Sequence, residues 1–264
     1  MLKILAMSCC CVDVFPEKSV VNAGGNALNV AASCARTGKA EVFLTGNIGT
    51  DMYAEKIMET ADKHQINRQK LREVEGESAH NNIYLTKDGD RYFLEDSWTA
   101  GVYPSYRISA KDAAFMKEFD AIATTFHDPD LKRLLDISLE SHFFLSVDFL
   151  SHTPKHTWRE YLPAIDLLLI NGKKDFFPLL KEWSCEFHTL FVATLGEAGS
   201  IAYLDGTEYR CEAVKVDAAT DTTGCGDSYH GAFLVDYLTH RDVLSAMKAG
   251  SASAAYTLSF IGGC

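Results

Sequence analysis

The chain has 264 residues, of which 47% are hydrophobic and 23% charged, so it has the composition of a globular protein that can bury a sizeable core. Asp and Glu number 36 against 25 Lys and Arg, and the net charge of −11 argues against a nucleic-acid partner, because phosphate contacts are made by clustered Lys and Arg. The sequence has no apolar run of the ~18–20 residues that a membrane helix needs, and its first apolar residues are too few for a signal peptide, so we expect no membrane partner.

Eight cysteines are spread through the chain, and three of them, Cys9, Cys10 and Cys11, are consecutive. None forms a Cys-x-x-Cys pair, and adjacent residues of a strand point to opposite faces, so the cysteines make a poor disulfide frame or metal cage. We therefore expect reduced, buried thiols and a cytoplasmic protein.

The first part of the sequence predicts alternating strands and helices. In chain order we expect a buried strand over 3–15, an Ala-rich helix over 27–36, a strand over 41–45 and an amphipathic helix over 51–64. Asn26 is a candidate N-cap of the first helix and Gly38 a candidate stop, because these residue types favour helix ends.

Between about residues 66 and 101 the hydrophobic period changes to that of strands. Residues 82–86 and 91–95 predict two strands around an Asp88-Gly89 turn, which is a hairpin signal. We interpret 66–101 as a small β insertion, with 14–22 as a further candidate segment. It would serve either as a flap over a site or as an edge that pairs with a second copy in a homodimer.

After Gly101 strands and helices alternate again. The predicted strands cover 121–126, 143–149, 167–170, 189–195, 200–204 and 208–211. The predicted helices cover 110–119, 130–140, 174–183, 226–238 and 241–258. Such alternation predicts a parallel sheet covered on both faces, with ligands bound at the carboxyl ends of its strands.

The sharpest motif is Asp221-Thr222-Thr223-Gly224-Cys225-Gly226-Asp227, which directly precedes a helical stretch. Its glycines allow a tight backbone at the helix start, where free N–H groups and the helix dipole favour an anion. Asp227 falls in the first helical turn, so its carboxylate could accept a hydroxyl proton while the amides stabilise a transferring phosphoryl group. A glycine-rich loop with Asp as a helix cap is the structural alternative.

This motif resembles the second signature of the ribokinase or pfkB family of sugar kinases, with Cys225 in place of the usual Ala. Residues 24–31 are similar to the family's first signature, and residues 194–200 to its nucleotide-binding motif. The order and spacing hold across nearly the whole chain. The resemblance implies a single kinase domain over 1–264, built as a three-layer α/β/α sandwich with a mainly parallel central sheet and a small β lid. It also implies ATP and Mg²⁺ as cofactors.

The resemblance further implies roles for individual residues. Asp227 would be the catalytic base, and the phosphate would be bound by N–H groups of Gly224, Cys225 and Gly226. The sugar would be bound by Asp13, Gly24, Gly25 and Asn29. ATP would be approached by Asn171, Thr194, Gly196, Gly199, Gly250 and Ser251, with Asp221 near the phosphates or their metal.

One stretch departs from the family pattern. Where the family often has Asn-x-x-Glu, this chain has Asn171-Gly172-Lys173-Lys174, so a Lys replaces the carboxylate that supports Mg²⁺. The metal ligands are therefore left open. The two lysines fit either a contact with phosphate or a solvated helix start.

Within the family, the sequence resembles the members that phosphorylate the 6-hydroxyl of fructoselysine, a glycated amino acid. The amino-acid tail of such a substrate carries positive charge, and Glu95 and Asp96 of the flap could pair with it. His127, Asp128 and Asp148 follow strands and could face the site, although each is more often a capping or turn residue.

Three other functions stay open. Another acceptor (fructose, ribose, a nucleoside or a sugar acid) fits the same signatures, because they describe phosphoryl transfer more than the acceptor. A non-catalytic sugar- or nucleotide-sensing protein is disfavoured by Asp227, since a sensor needs no base. A dinucleotide-dependent enzyme is disfavoured because the first strand is not followed by Gly-x-Gly-x-x-Gly.

Overall fold

The computed structural model of the chain describes residues 1–86, 91–92, 94–216 and 219–264. The strands are β1 (Leu2–Ala6), β2 (Cys11–Phe15), β3 (Val20–Gly24), β4 (Ala40–Ile48), β5 (Asn67–Glu73), β6 (Ala79–Asn82), β7 (Tyr84–Leu85), β8 (Arg91–Tyr92), β9 (Trp98–Thr99), β10 (Ala121–Thr125), β11 (Phe144–Asp148), β12 (Leu167–Asn171), β13 (Leu190–Thr194), β14 (Ser200–Leu204) and β15 (Thr207–Cys211). The helices are α1 (Asn26–Arg36), α2 (Met52–Lys63), α3 (Ala110–Met116), α4 (Leu131–Leu139), α5 (Phe177–Phe187), α6 (Cys225–His240) and α7 (Val243–Thr257).

Within the described residues, nine strands form a central sheet in the order β15-β14-β13-β12-β11-β10-β1-β4-β5. The strands from β13 to β5 pair in parallel, and β14 and β15 add an antiparallel edge. Parallel strands are covered on both faces, and β10 is accordingly buried along its whole length. The structure confirms the mainly parallel sheet that the sequence predicts.

Helices cover both faces of this sheet. Successive side chains of β13 point to opposite faces, so that Val192 joins the core under α1, α6 and α7, whereas Phe191 joins the core under α4 and α5. Leu169 and Leu168 of β12 divide between the two cores in the same way. The fold is therefore the predicted three-layer α/β/α sandwich.

The longest helix of the described part of the chain, α6, has 16 residues. Its apolar residues are interrupted by Asp227, His230 and Asp236. No helix in the described segments is both long enough and apolar enough to cross a bilayer.

A second sheet has the strand order β3-β2-β6-β9 and corrects two predicted boundaries. The strand predicted over 3–15 is two strands: β1 ends at Ala6, Ser8 has a φ of 118°, and β2 belongs to the second sheet. The insertion predicted to begin at about residue 66 begins later, because β5 pairs with β4 as the edge of the central sheet. Residues 3–15 are mostly apolar, so their hydrophobic period gives no sign of the break.

A short hairpin lies between β6 and β9 in the sequence. Its strands β7 and β8 pair antiparallel, with Tyr84 opposite Tyr92 and their rings stacked at a centroid distance of 5.5 Å. This confirms the predicted pairing of the two strands. The predicted turn at Asp88 and Gly89 lies outside the described residues.

Helices α1 and α6 approach each other closely through small residues. A Cβ atom on Gly231 of α6 would lie 2.7 Å from both the Ser33 Cβ and the Val30 carbonyl oxygen of α1, so a larger residue would push the helices apart. Ser33 Oγ also donates a hydrogen bond of 2.6 Å to the carbonyl oxygen of Ser228. The contact fixes the position of one helix relative to the other.

We predict that Gly231→Ala destabilises the protein by about 1–3 kcal/mol, because the added methyl group overpacks the contact between the two helices. Urea unfolding of the variant and the wild type measures the difference. Gly226→Ala is the matched control in the same helix, since a Cβ atom there would meet nothing within 4 Å. A Gly231→Ala variant as stable as the wild type would show that the contact is looser than described.

Candidate active site

A cavity of about 700 Å³ opens at the carboxyl ends of β1 and β10, beside the first residues of α1 and α6. This volume lies within the usual range of small-molecule sites. The cavity wall contains five of the predicted site residues, namely Asp13, Gly25, Asn29, Gly224 and Asp227. The structure therefore brings residues from three distant parts of the sequence to one place.

Asp227 lies in the first turn of α6 and is held by two amide side chains of α1. Asn26 Nδ2 donates to Asp227 Oδ1 at 2.8 Å, and Asn29 Nδ2 donates to Asp227 Oδ2 at 2.9 Å. The carboxyl group is buried, with 8% of the residue exposed, yet it forms part of the cavity wall. A carboxylate held by both oxygens has a fixed orientation toward a ligand in the cavity.

The prediction that Asn26 caps α1 is wrong. Gly25 occupies the N-cap position with a φ of 88°, and α1 has no side-chain capping bond. A Cβ atom on Gly25 would lie 2.6 Å from the Cys9 carbonyl oxygen, so the turn requires glycine. The Asn26 amide is used instead to hold Asp227, a tertiary contact that local sequence does not reveal.

The start of α6 has the backbone of an anion site. Gly224 is the N-cap residue, with a φ of 73°, and the first N–H groups of a helix lack intrahelical partners. A Cβ atom on Gly226 would meet nothing within 4 Å, so the space beside this turn is open. The helix dipole adds partial positive charge here, and a phosphate group therefore fits beside Gly224, Cys225 and Gly226.

Asp221, the first residue of the motif, is fully buried and anchors the loop. Its Oδ1 accepts hydrogen bonds from the Thr223 amide at 2.9 Å and the Thr223 hydroxyl at 2.7 Å, and its Oδ2 accepts from the Gly262 amide at 2.9 Å. Both oxygens are thus used within the protein. These bonds hold the loop against the chain's last residues. The predicted place of Asp221 near the phosphates or their metal stays a prediction.

Asp13 closes the side of the cavity formed by the second sheet. A Cβ atom on Gly24 would lie 2.6 Å from Asp13 Oδ2, so glycine is needed there to make room for the carboxyl group. Two buried amide oxygens, Asn29 Oδ1 and Asn81 Oδ1, have no hydrogen-bond partner, and both residues line the cavity. Buried acceptors without partners are costly, so a ligand that offers several hydroxyl or ammonium donors fits this wall.

Four residues predicted to approach ATP lie together outside the cavity lining. Asn171 and Thr194 are register partners at the ends of β12 and β13, and Thr194 Oγ1 donates to Asn171 Oδ1 at 3.3 Å. Gly196 follows Thr194 by two residues, with a φ of 59°, and a Cβ atom on it would meet nothing within 4 Å. Gly199 is tightly packed, since a Cβ atom on it would lie 2.1 Å from the Cys211 carbonyl oxygen. Their contact with a nucleotide stays a prediction.

The remaining predicted nucleotide residues, Gly250 and Ser251, are buried in α7. A Cβ atom on Gly250 would lie 2.9 Å from the Tyr229 ring, so this glycine serves the close packing of α7 on α6. Lys174 lies in an exposed short turn before α5. The described residues contain no cluster of three His, Cys, Asp or Glu side chains that could hold a metal ion.

The structure does not support the predicted pairing of Glu95 and Asp96 with a substrate. Both residues are exposed, and neither lines the cavity. The second sheet instead presents Asn81 of β6 and Trp98 of β9 to the cavity. Strand alternation alone could not assign these side chains to the ligand side, because the pairing of β2 with β6 is not evident from the sequence.

Two buried groups under the site have shifted pKa values. Burial raises the pKa of Asp148, at the end of β11, to about 7, and the negative charge of Asp227 adds to the shift, although the Leu150 amide opposes it. Burial also lowers the pKa of His230 to about 3, so this ring is neutral. It shares a hydrogen bond of 2.6 Å with Ser146 Oγ. His230 therefore adds no positive charge beneath the site at neutral pH.

The cavity also contains residues that sequence reasoning left out or weighed lightly. They include two thiols and an imidazole: Cys9, Cys11 and His127. Cys9 and Cys11 are buried, as expected of the consecutive cysteines, and they form a small cluster with Ala79 and Tyr103 that is separate from the two cores of the central sheet. His127 follows β10, and its place after a predicted parallel strand is the signal that made it a candidate in the sequence.

Comparison with known proteins places this geometry in a family. The pfkB family carbohydrate kinase profile matches residues 14–263. The fructoselysine 6-kinase of Shigella flexneri is 28% identical over 257 residues, which are 96% of this chain and 95% of that protein. The adenosine kinase structure from Sinorhizobium meliloti has a TM-score of 0.80 at 18% identity, covering 99% of this chain and 94% of that one.

The Arabidopsis thaliana ribokinase structure, complexed with ribose and ATP, has a TM-score of 0.78 at 17% identity, covering 99% of this chain and 93% of that one. Solved structures at such identities share the fold, which is ribokinase-like. The family profile covers nearly the whole sequence, including both glycine motifs and Asp227. The chain therefore belongs to the pfkB family of carbohydrate kinases.

Proposed function

We propose that the protein is an ATP-dependent kinase that transfers the γ-phosphate of ATP to the 6-hydroxyl of fructoselysine. The observation that carries the proposal is the Asp227 carboxylate, held in the cavity wall by Asn26 and Asn29 beside the amides at the start of α6. A base next to an anion site is what an alcohol needs to attack a phosphoryl group.

The reaction follows from that arrangement. The 6-hydroxyl gives its proton to the Asp227 carboxylate as its oxygen bonds to the γ-phosphorus, and the bond from that phosphorus to the bridging oxygen of ADP breaks. The N–H groups near Gly224, Cys225 and Gly226 hold the negative charge of the phosphoryl group in transit. Because the acceptor hydroxyl and the base are both held in place, little rotational and translational entropy remains to be lost in reaching the transition state.

The residues present fit ATP on two points. The space beside Gly226 admits a phosphate group, and the open surroundings of Gly196 admit a ligand near Thr194 and Asn171. Mg²⁺ would neutralise phosphate charge, and it would arrive with ATP as part of the substrate, since Mg²⁺ in such sites is held largely by phosphates and water. Lys174, at the position where the family often has Glu, cannot act as a carboxylate ligand, which fits a metal held in that way.

The acceptor is supported by the character of the cavity. Its volume of about 700 Å³ exceeds what a single sugar ring needs, and the unpaired Asn29 Oδ1 and Asn81 Oδ1 suit a polyhydroxylated ligand. The similar protein from Shigella flexneri is a fructoselysine 6-kinase. The second sheet, which contributes Asn81 and Trp98, would cover the sugar and keep water from the γ-phosphate.

With MgATP, we predict ADP release that is fastest with fructoselysine, slower with fructose and slowest with ribose or adenosine. A coupled assay of ADP formation over this panel measures the order, and ATP hydrolysis without sugar should be slower than any transfer. Faster ADP release with ribose or adenosine than with fructoselysine would contradict the proposed acceptor. Tight sugar binding without any ADP release would favour a sensing protein instead.

Asp227→Asn should lower kcat by about 10²- to 10⁴-fold while ATP still binds, because the amide cannot accept the hydroxyl proton. Steady-state kinetics and ATP titration measure the two effects. Asp221→Asn is the control from the same motif, since it should mainly lower the melting temperature by disturbing the bonds to Thr223 and Gly262. A near-normal kcat of the Asp227→Asn variant would show that Asp227 is not the catalytic base.

Asn26→Ala should lower kcat by about 10- to 100-fold, because the loss of a hydrogen bond to a charged group is worth about 1.5–3 kcal/mol and Asp227 Oδ1 loses its partner. Asn22→Ala is the matched control: Asn22 Nδ2 donates to the Ile261 carbonyl oxygen at 2.9 Å and does not line the cavity. Equal kcat losses in both variants would mean that the effect is not specific to Asp227.

A further inference from the structure

The cavity wall changes in polarity from one end to the other. Asn29 and Asp227 come from α1 and α6, which pack on one face of the central sheet. His127 follows β10 and precedes α4, which packs on the opposite face. The cavity therefore extends across the carboxyl edge of the sheet, with carboxylates at one end and an imidazole at the other.

His127 is the one side chain, among the described residues that line the cavity, that can carry a positive charge. The charged side chains at the other end are the carboxylates of Asp13 and Asp227. A ligand that complements both ends presents hydroxyl or ammonium groups to the carboxylates and an anionic group to His127.

The His127 ring is paired with a second imidazole. Its Nε2 lies 3.1 Å from Nε2 of His152, and the ring centroids are 4.8 Å apart. His152 in turn packs against Phe126 at a centroid distance of 4.9 Å. The backbone is also held, because Tyr103 Oη donates to the His127 carbonyl oxygen at 2.7 Å. The position of His127 is thus fixed from two sides.

The direction of the hydrogen bond between the rings decides which nitrogen of His127 is a donor. When His152 donates to His127 Nε2, a neutral His127 carries its proton on Nδ1, and a protonated His127 carries protons on both nitrogens. When a neutral His127 donates from Nε2 instead, its Nδ1 is an acceptor. A carboxylate beside His127 Nδ1 selects the arrangements in which that nitrogen is a donor. Burial, together with the neighbouring His152, lowers the pKa of His127, so the ring without a ligand binds as a neutral donor, and a carboxylate beside it would oppose that shift.

The cavity lining also has apolar residues. They come from the second sheet and the segment after it: Ile83, Trp98, Ala100, Tyr103 and Pro104. Such a surface suits a methylene chain, which gains by leaving water. The lining therefore combines carboxylates, an apolar surface and one imidazole.

We infer that His127 binds the α-carboxylate of the substrate's amino-acid tail, and that His152 positions it, so that the pair selects glycated amino acids over free sugars. The inference rests on the proposed function. Fructoselysine offers a group for each part of this lining: a polyol for the carboxylates, a chain of four methylene groups for the apolar surface, and a free carboxylate for the imidazole. No other group of the substrate is anionic, which leaves the carboxylate as the partner for His127.

The test compares fructoselysine with its α-carboxamide, which lacks only the negative charge. The wild type should prefer the free acid in kcat/KM. His127→Phe should lower kcat/KM for the acid by about 10- to 100-fold, as expected for a lost charge-assisted hydrogen bond, and for the amide by less than about threefold. His127→Gln, which retains a neutral donor, should recover part of the loss, and His152→Phe should show a smaller loss on the acid alone.

His142→Phe serves as the control, because His142 is an exposed histidine between α4 and β11 and does not line the cavity. Melting temperatures of all variants establish that they are folded. Equal losses on acid and amide in His127→Phe, or no preference in the wild type, would overturn the inference while the kinase proposal stands. Absence of ADP release with both compounds in the wild type would overturn the proposed acceptor, and this inference with it.

Discussion

The buried carboxylate of Asp227 requires that α1 and α6 meet at their N-termini. A buried charge without partners is costly, and here the partners are two amides of α1, Asn26 and Asn29. Glycines make the approach possible: a Cβ atom on Gly224 would lie 2.4 Å from Gly263 Cα, and one on Gly263 would lie 2.3 Å from Asn29 Nδ2. The last residues of the chain thus close around Asn29, and Asp221 ties them to the motif loop. The distance between acceptor site and phosphate site is set by backbone contacts, not by flexible side chains.

The fold was predictable because it depends on patterns that the sequence carries locally. Buried parallel strands are continuous apolar runs, and helices repeat every 3.6 residues, so the alternation after Gly101 is evident from the sequence. The errors arose where pairing decides the structure. Residues 3–15 form one apolar run, yet the chain leaves the central sheet at Ser8, and β5 joins that sheet although neither its sequence nor its position distinguishes it from the insertion.

The site was predictable where chemistry demands a particular backbone. Gly25 and Gly224 adopt positive φ values, and Gly24 makes room for Asp13. Because these positions require glycine, they appear in the sequence as glycine motifs. Asn26 shows the limit, because an Asn at a helix start is usually a cap and only the tertiary structure reveals its bond to Asp227. Asp221 shows a second limit: its burial and its three internal hydrogen bonds make it an anchor of the loop, and its bond to the Gly262 amide, 41 residues away in the chain, is not evident from the motif.

The same reasoning explains why the motifs identify the reaction better than the acceptor. The predicted phosphoryl-transfer residues are backbone amides and a carboxylate held between two helices, and a side chain at Gly25 or Gly224 would meet backbone atoms within 3 Å. The far end of the cavity uses side chains such as Trp98 and His127, which stand on a short strand and on a loop. A change in those side chains needs no change in the backbone, so different acceptors can be accommodated on one catalytic frame. Under the proposed function, the chemistry of that wall selects the acceptor, and a sugar without a charged tail would leave its histidine pair unused.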